Sequence, residues 1–307
     1  MKAPLVVTTL ALALAATTAC REARSSFSQQ ETAELAARTD RLAQRLTAVN
    51  TDTEPLARWN MPPSLAELSG LAVLDSTRLV THTDEVGRVA VVDFRRGVVL
   101  KQFSLGEKPL RGDFEGITVA NGRIWLLESN GTLYEFVEGA DGGVAPVTRF
   151  DTRLGNECEF EGLAFDPSSE SLLLPCKRVT AGSDKDQIVI YRWSLARRAI
   201  SPDATLEIPF NRLTEDSQWK EIHPSGVAVD PASGNYVLVA ARQGALIEVT
   251  PAGDVVTARL LPSTHPQTEG IAITPDGLLI IADEGSTQPG TITLYRWPAR
   301  TSTRGVS

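Results

Sequence analysis

Five short stretches of the chain place acidic or polar side chains directly in front of an apolar run that is typical of a buried strand. They read ELSGLAV from residue 67, DFEGITV from 113, EFEGLAF from 159, HPSGVAV from 223 and QTEGIAI from 267. Burial of an unpaired carboxylate costs free energy. Repetition of acids at this position therefore indicates a site at which something neutralises them.

The acids converge if the five strands surround one axis, because equivalent strand ends then meet at one mouth of a central channel. Residues two apart in a strand point to the same side, so each stretch presents a pair of side chains there. Six carboxylates would meet at this mouth, namely Glu67, Asp113, Glu115, Glu159, Glu161 and Glu269. Without a cation they would repel one another, and their pKa values would rise.

Calcium is the cation that this donor set favours, because hard oxygen ligands with few nitrogens suit Ca²⁺ better than a transition metal. Glu115, Glu161 and Glu269 share one position of the pattern and are the first-choice ligands, with Glu67, Asp113 and Glu159 as second choices. Two alternatives remain open. An Arg or Lys could pair with the acids (Arg111 is nearest along the chain), or neighbouring strands could donate backbone N–H groups to them.

A second set of charged residues follows the second strand of each repeat: Asp84, Glu85, Glu128, Lys177, Arg178, Arg242, Asp283 and Glu284. Their mixed signs favour salt bridges between repeats, with a polar ligand cleft as the alternative.

The repeats themselves predict an all-β fold, a five-bladed β-propeller preceded by a short helical tether. The pattern glycines are spaced by 46, 46, 64 and 44 residues, and about four strand-like runs fill most repeats. Such a spacing is typical of propeller blades. The last repeat has about three strands, so residues 54–61 are predicted to complete it and close the ring. The long spacing leaves too few residues for a sixth blade.

These stretches resemble the SdiA-regulated (YjiK-like) domain family, through ELSGLAV, DFEGITV, EFEGLAFDP and TEGIAITPDGLLIIADE, over about residues 56–298. The resemblance implies a five-bladed propeller, distantly similar to NHL repeats, with a calcium site. It brings no established activity. The chain has Ser69 and Ser225 where the family pattern has Glu, so the ligand set at those two positions stays open.

The N-terminal region predicts export and anchoring. Residues 1–19 are typical of a signal peptide, and TTAC at 17–20 resembles a lipobox with Cys20 as the lipidated residue, although Thr17 replaces the usual Leu. A plain secreted protein is the alternative. Residues 20–52 are interpreted as a lipid anchor and helical spacer, with a coiled coil as the alternative, and residues 53–300 as the propeller. Arg21 favours the outer membrane, facing the periplasm or the surface.

Cys158 and Cys176 are predicted to form a disulfide, because they flank a hairpin that turns at DPSSES and an exported protein meets an oxidising compartment. Two unrelated thiols are the alternative.

Function is predicted only in outline. The net charge of −8 argues against a nucleic-acid partner. The favoured function is a calcium-binding module held at the membrane by its lipid anchor, which binds or scaffolds an unknown protein or small molecule. A calcium-dependent lactonase or esterase is the alternative. Lactonase-like propellers usually have six blades and an Asn among their calcium ligands, whereas Asn130 and Asn156 do not repeat in phase here, so a binding protein is favoured over an enzyme. A phytase-like propeller would need basic residues at the mouth.

Cys20→Ser is predicted to release the protein from the membrane. Wild type should fractionate with membranes and carry a diacylglyceryl group at Cys20, whereas the variant should be soluble in the periplasm, because one thioether-linked lipid is the anchor. Mass spectrometry of the mature N-terminus and cell fractionation measure both. A soluble wild type with a free N-terminus elsewhere would contradict the anchor.

Overall fold

The structure is a computed structural model that describes residues 9–49, 51, 53–180, 186–213, 219–285 and 287–297, with side chains from residue 29 onward. One helix, α1 (Thr9–Ala48), precedes the strands. The first eight residues of the predicted signal peptide, the side chain of Cys20 and residues 298–300 of the predicted propeller lie outside the described residues. Within the described part of the chain, no helix is both long and apolar enough to cross a membrane.

The strands form five sheets arranged as the blades of a β-propeller, numbered here in chain order. Strand β1 (Ala57–Asn60) comes first. Blade 1 holds β2 (Leu68–Val73), β3 (Arg78–Thr83), β4 (Arg88–Asp93) and β5 (Val98–Leu105). Blade 2 holds β6 (Phe114–Ala120), β7 (Arg123–Glu128), β8 (Thr132–Phe136) and, after the short β9 (Val144–Ala145) that pairs with β5, β10 (Thr148–Asp151).

The remaining blades follow the same plan with one irregular member. Blade 3 holds β11 (Cys158–Phe160) and β12 (Ala164–Asp166), both paired with β13 (Ser171–Val179), then β14 (Gln187–Ser194), β15 (Ala199–Ile200) and β16 (Leu206–Pro209). Blade 4 holds β17 (Gly226–Val229), β18 (Tyr236–Ala240), β19 (Ala245–Val249) and β20 (Val255–Leu260). Blade 5 holds β21 (Thr268–Ile273), β22 (Leu278–Asp283) and β23 (Thr291–Arg296).

The N-terminal strand closes the ring, as the sequence predicted. β1 pairs antiparallel with β23, so that Ala57 lies opposite Leu294 and Asn60 opposite Thr291. The first strand of the domain therefore supplies the fourth strand of its last blade. The extra residues between the third and fourth repeats contribute β15 and β16 to the edge of blade 3, so the prediction of five blades is confirmed for the described chain.

An apolar cluster fills each interface between neighbouring blades, because side chains alternate between the two faces of every strand. On β3, for example, Leu79 joins the cluster shared with blade 5, whereas Val80 joins the cluster shared with blade 2. The ring is thus held by burial at its blade interfaces as well as by strand pairing.

The C-terminal half of α1 packs against blades 1 and 5. Leu42 and Val49 are 3% and 7% exposed and belong to the apolar cluster between these blades. The Arg38 guanidinium donates to the carbonyl of Arg96 at 3.0 Å, and Arg296 donates to the carbonyl of Val49 at 2.8 Å. This part of the predicted spacer is therefore fixed to the propeller.

The five innermost strands touch one another at their glycines, which form a ring at the waist of the channel: Gly70, Gly116, Gly162, Gly226 and Gly270. A Cβ atom on Gly116 would lie 2.6 Å from the carbonyl carbon of Gly162, and one on Gly162 would lie 2.9 Å from the Cα of Gly226. Real Cβ atoms do not approach backbone so closely. Glycine at this position is therefore required by the packing of the inner strands.

Gly116→Ala is predicted to destabilise the propeller by ~3 kcal/mol, because overpacking against fixed backbone cannot relax. The control is Gly142→Ala, where a Cβ meets nothing within 4 Å and only a left-handed backbone (φ +65°) opposes the change, at about 1 kcal/mol. Urea unfolding of the three proteins measures both costs. Equal midpoints for Gly116→Ala and wild type would show that the inner strands are not in tight contact.

Candidate functional site

Three of the inner strands contain a β-bulge, in each case at the residue immediately before the pattern glycine. In blade 2, Phe114 lies opposite Glu128 and Gly116 opposite Leu127, which leaves Glu115 as the extra residue. Ser69 in β2 and Glu269 in β21 are extra in the same way. Bulges re-aim side chains and are common next to functional sites. The residue immediately before each of these glycines is thereby set apart from the regular ladder.

Blade 3 reaches a similar arrangement differently. Its inner strand is broken, so that Glu161 lies between β11 and β12, beside Gly162 with φ +83°. The backbone here makes a hydrogen bond to blade 2: the Gly162 N–H donates to the carbonyl of Glu115 at 2.8 Å. The broken strand places Glu161 at the same mouth as Glu115.

These residues line a cleft of about 190 Å³ at one mouth of the channel, called here the acidic cleft. Its charged lining residues are Glu67, Asp84, Glu115, Glu161, Lys177, Glu269 and Glu284. Four of the six predicted carboxylates are therefore brought together. Asp113 does not line the cleft and is exposed, although its charge acts on Glu115. Glu159 lines an adjoining cleft instead.

Lys177 is the cation of this site, a residue that sequence reasoning had assigned to the second set. Its Nζ contacts the Glu161 carboxylate and lies 3.8 Å from Glu159. The prediction of salt bridges between repeats is wrong here, because all three residues belong to blade 3. β11 pairs with β13 and puts Glu159 opposite Arg178. The same hairpin from which the disulfide was predicted also places Lys177 and Arg178 close to Glu159.

The Glu115 and Glu269 carboxyls resist ionisation. Burial raises the pKa of Glu115 to about 8, and the charges of Glu161 and Asp113 add to this effect. Burial likewise raises the pKa of Glu269 to about 9, with repulsion from Glu161 and Glu115. For Lys177, burial lowers the pKa, but the Glu161, Glu115 and Glu159 carboxylates outweigh burial and the pKa is raised. Lys177 therefore stays charged, while two of the carboxyls hold protons near neutral pH.

Side chains, rather than backbone, donate to the buried acids. The Ser69 hydroxyl donates to Glu115 Oε2 at 3.3 Å, and Lys177 donates to Glu161. Within the described residues, no backbone N–H donates to the carboxylates of Glu115, Glu161 or Glu269.

A second cleft of about 260 Å³ adjoins the first and shares Glu161, Lys177 and Glu269 with it. Here Arg178 pairs with Glu159, and the Arg242 guanidinium lies 3.4 Å from Glu221. His223 Nδ1 donates to the carbonyl of Lys177 at 2.9 Å, and its Nε2 lies 3.4 Å from Glu221 Oε2. The mouth is thus acidic on the side of blades 5, 1 and 2 and mixed in charge beside blades 3 and 4.

A disulfide joins Cys158 and Cys176, whose Cα atoms are 5.7 Å apart. Cys158 directly precedes Glu159, and Cys176 directly precedes Lys177. The bond therefore ties β11 to β13 directly beside Glu159 and Lys177.

No three acidic, histidine or cysteine side chains already stand in metal-coordinating geometry among the residues described. Lys177 lines the acidic cleft together with these carboxylates, and its Nζ contacts the carboxylate of Glu161.

Comparison with known proteins gives the fold and nothing finer. No family model matches the chain, and no curated protein sequence does. A glutaminyl cyclase from Myxococcus xanthus has a TM-score of 0.55 and 12% identity, covering 78% of this chain and 94% of its own. A luciferin-regenerating enzyme has a TM-score of 0.50 and 9% identity, covering 80% and 98%. A streptogramin B lyase has a TM-score of 0.45 and 12% identity, covering 80% and 87%. At such identities the likeness to the first two structures shows a shared fold alone.

The raised pKa values predict that these two acids destabilise the metal-free protein as pH rises. In the unfolded chain they ionise near pH 4.5, but in the folded state only near pH 8 and 9. Their favourable contribution is therefore complete below pH 4.5 and is lost as pH rises toward the folded values. Glu269→Gln should gain stability relative to wild type by on the order of 1 kcal/mol per unit between about pH 5 and 8.

Urea unfolding in chelator across this pH range measures the difference. Glu107→Gln, a change at an exposed position, is the control and should stay parallel to wild type. If Glu269→Gln also stays parallel, the Glu269 carboxyl titrates as an exposed group.

Proposed function

We propose that the protein is a calcium-binding β-propeller of the cell envelope, which serves as a binding or scaffold module. The observation that carries this proposal is the excess of carboxyls over cations in the acidic cleft. Glu115, Glu161 and Glu269, which precede three of the ring glycines, would bring three negative charges, against one positive charge from Lys177. Among these four residues two negative charges remain, which equals the charge of one divalent cation or of two protons, and the other acids that line the cleft add to the excess.

The pKa values of about 8 and about 9 mean that protons fill this role when no metal is present. A divalent cation would supply the same charge and release both protons, because carboxylate ligands bind metal in their deprotonated form. The donors available in the cleft are carboxylate oxygens, the Ser69 hydroxyl and the Gln267 amide oxygen. Oxygen donors of this kind fit Ca²⁺, which accepts six to eight ligands in flexible geometry.

Glu115, Glu161 and Glu269 would hold the ion, with Glu67 at the rim of the cleft as a further donor. Glu159 and Asp113 would act from outside, since Glu159 pairs with Arg178 and Lys177, and Asp113 is exposed. Lys177 would remain as a fixed counter-charge beside Glu161. Its presence favours a site that holds one cation over a site that holds several.

A second candidate function is a metal-dependent hydrolase. It is favoured by the two carboxyls that hold protons near neutral pH in a cleft beside His223, because perturbed acids in clefts are common among catalytic groups. The glutaminyl cyclase and the luciferin-regenerating enzyme show that this fold can carry enzymes. Lactone and aryl-ester hydrolysis with and without Ca²⁺ separates the two functions. We expect no metal-dependent turnover, and clear turnover would establish the hydrolase.

Membership in the SdiA-regulated family and anchoring through Cys20 complete the proposal. The family assignment is supported by the glycine pattern, whose five members form the ring at the channel waist. The envelope location is supported by the TTAC sequence and by the disulfide, which is typical of exported proteins.

Calcium is predicted to stabilise the protein and to displace protons. Addition of chelator should lower the melting temperature, and Ca²⁺ should restore it better than Mg²⁺. A hundredfold excess over Kd is worth about 2.7 kcal/mol. Calorimetric titration in buffers of different ionisation enthalpy should show about two protons released per Ca²⁺ at pH 7, since both raised pKa values lie above that pH.

Glu269→Gln should weaken Ca²⁺ binding at least tenfold and reduce the proton count to about one, whereas Glu107→Gln should bind Ca²⁺ as wild type does. An unchanged melting curve in chelator, together with no metal by elemental analysis, would overturn the calcium proposal.

A further inference from the structure

The opposite mouth of the channel is lined by apolar side chains and plays no part in the proposed calcium binding. The inner strands run from the acidic cleft past the glycine ring and end around an apolar cavity of about 380 Å³, called here the apolar funnel. Its wall contains the third residue after each glycine: Val73, Val119, Phe165, Val229 and Ile273. The second residue after each glycine is small and leaves room between them: Ala72, Thr118, Ala164, Ala228 and Ala272.

No charged side chain lines the funnel among the described residues, and the single polar side chain is Thr118. The Thr118 side chain is 5% exposed, and its hydroxyl makes no hydrogen bond to another described residue. The oxygen still reaches the open space of the funnel, because it is not one of the fully buried polar atoms that lack a partner in the described part of the chain. An unpaired hydroxyl in an otherwise apolar cavity indicates where one polar atom of a ligand would bind.

Four of the five wall residues are only partly buried, although all five contribute to the apolar clusters between blades. Val73, Val119, Phe165 and Val229 all remain partly exposed, so large apolar side chains face a concave space open to water. Leaving apolar surface in water costs about 25 cal/mol per Å². A ligand that covers this surface would recover that free energy.

The size of the funnel suits a small molecule. Its volume of about 380 Å³ lies within the range of small-molecule sites, and the inner strands cannot spread because their glycines are in contact. Small-molecule sites typically begin near about 300 Å³ and are mostly apolar with few polar groups.

We propose that the apolar funnel binds one uncharged small molecule with a hydrocarbon body and a single hydroxyl or carbonyl oxygen, which pairs with Thr118. This site is separate from the acidic cleft and does not depend on calcium.

The probes are straight-chain alcohols from 1-butanol to 1-octanol, titrated by calorimetry into the full-length protein. Binding should saturate at one molecule, and affinity should rise about fourfold for each added methylene until the funnel is full. Octanoate should bind at least tenfold more weakly, because the funnel offers no partner for a charge. Chelator should not change these affinities.

Two variants test the location. Val229→Asp in the funnel should abolish saturable binding, whereas Val256→Asp, on the exposed edge of the same blade, should bind as wild type does. Thr118→Val should weaken alcohol binding by about threefold to tenfold without weakening the binding of benzene. Absence of saturable binding to wild type, or equal binding by Val229→Asp and Val256→Asp, would overturn the proposal.

Discussion

The contact of five inner strands at their glycines is the constraint from which the rest of this structure follows. Because the glycines have no side chains, the backbones of neighbouring inner strands come into contact at the waist, and the channel is narrowest there. The residues on either side of each glycine are then brought to one of two mouths. In blades 2, 3 and 5 a carboxylate one position earlier in the chain enters the acidic cleft, and in all five blades an apolar residue three positions later lines the funnel.

Crowding of this kind has an electrostatic cost that the protein meets in two ways. Lys177 neutralises one carboxylate directly, and protons neutralise what remains, as the raised pKa values of Glu115 and Glu269 show. Neutral side chains at these positions would allow the same strand pairing and the same burial, so folding does not require acids here. Retention of charge where it costs stability is typical of sites selected for function rather than for folding.

Most of the fold could be predicted from the sequence because its determinants are local. Glycine spacing and the alternation of apolar residues predicted five blades, and the missing strand of the last repeat predicted closure by β1. The site was predicted less completely. Regular alternation implied that Asp113 and Glu115 point the same way, but the bulge at Glu115 breaks that alternation. Lys177 was missed because it reaches the acids through strand pairing in blade 3, a contact that the repeat pattern does not contain.

Blade 3 departs most from the common plan, and this departure makes the distribution of charged side chains around the mouth uneven. Its inner strand is divided into β11 and β12, and its outer edge carries two short strands. Its disulfide joins β11 to β13 beside Glu159 and Lys177. Five identical blades would produce a ring of uniform charge around the axis. Because one blade contributes Lys177 and Arg178 beside its own acids, the acidic side chains away from these cations are concentrated in blades 1 and 5, where Glu67, Asp84 and Glu284 lie. The irregular blade therefore makes the mouth asymmetric, with mixed charges beside blade 3 and acidic side chains on the other side.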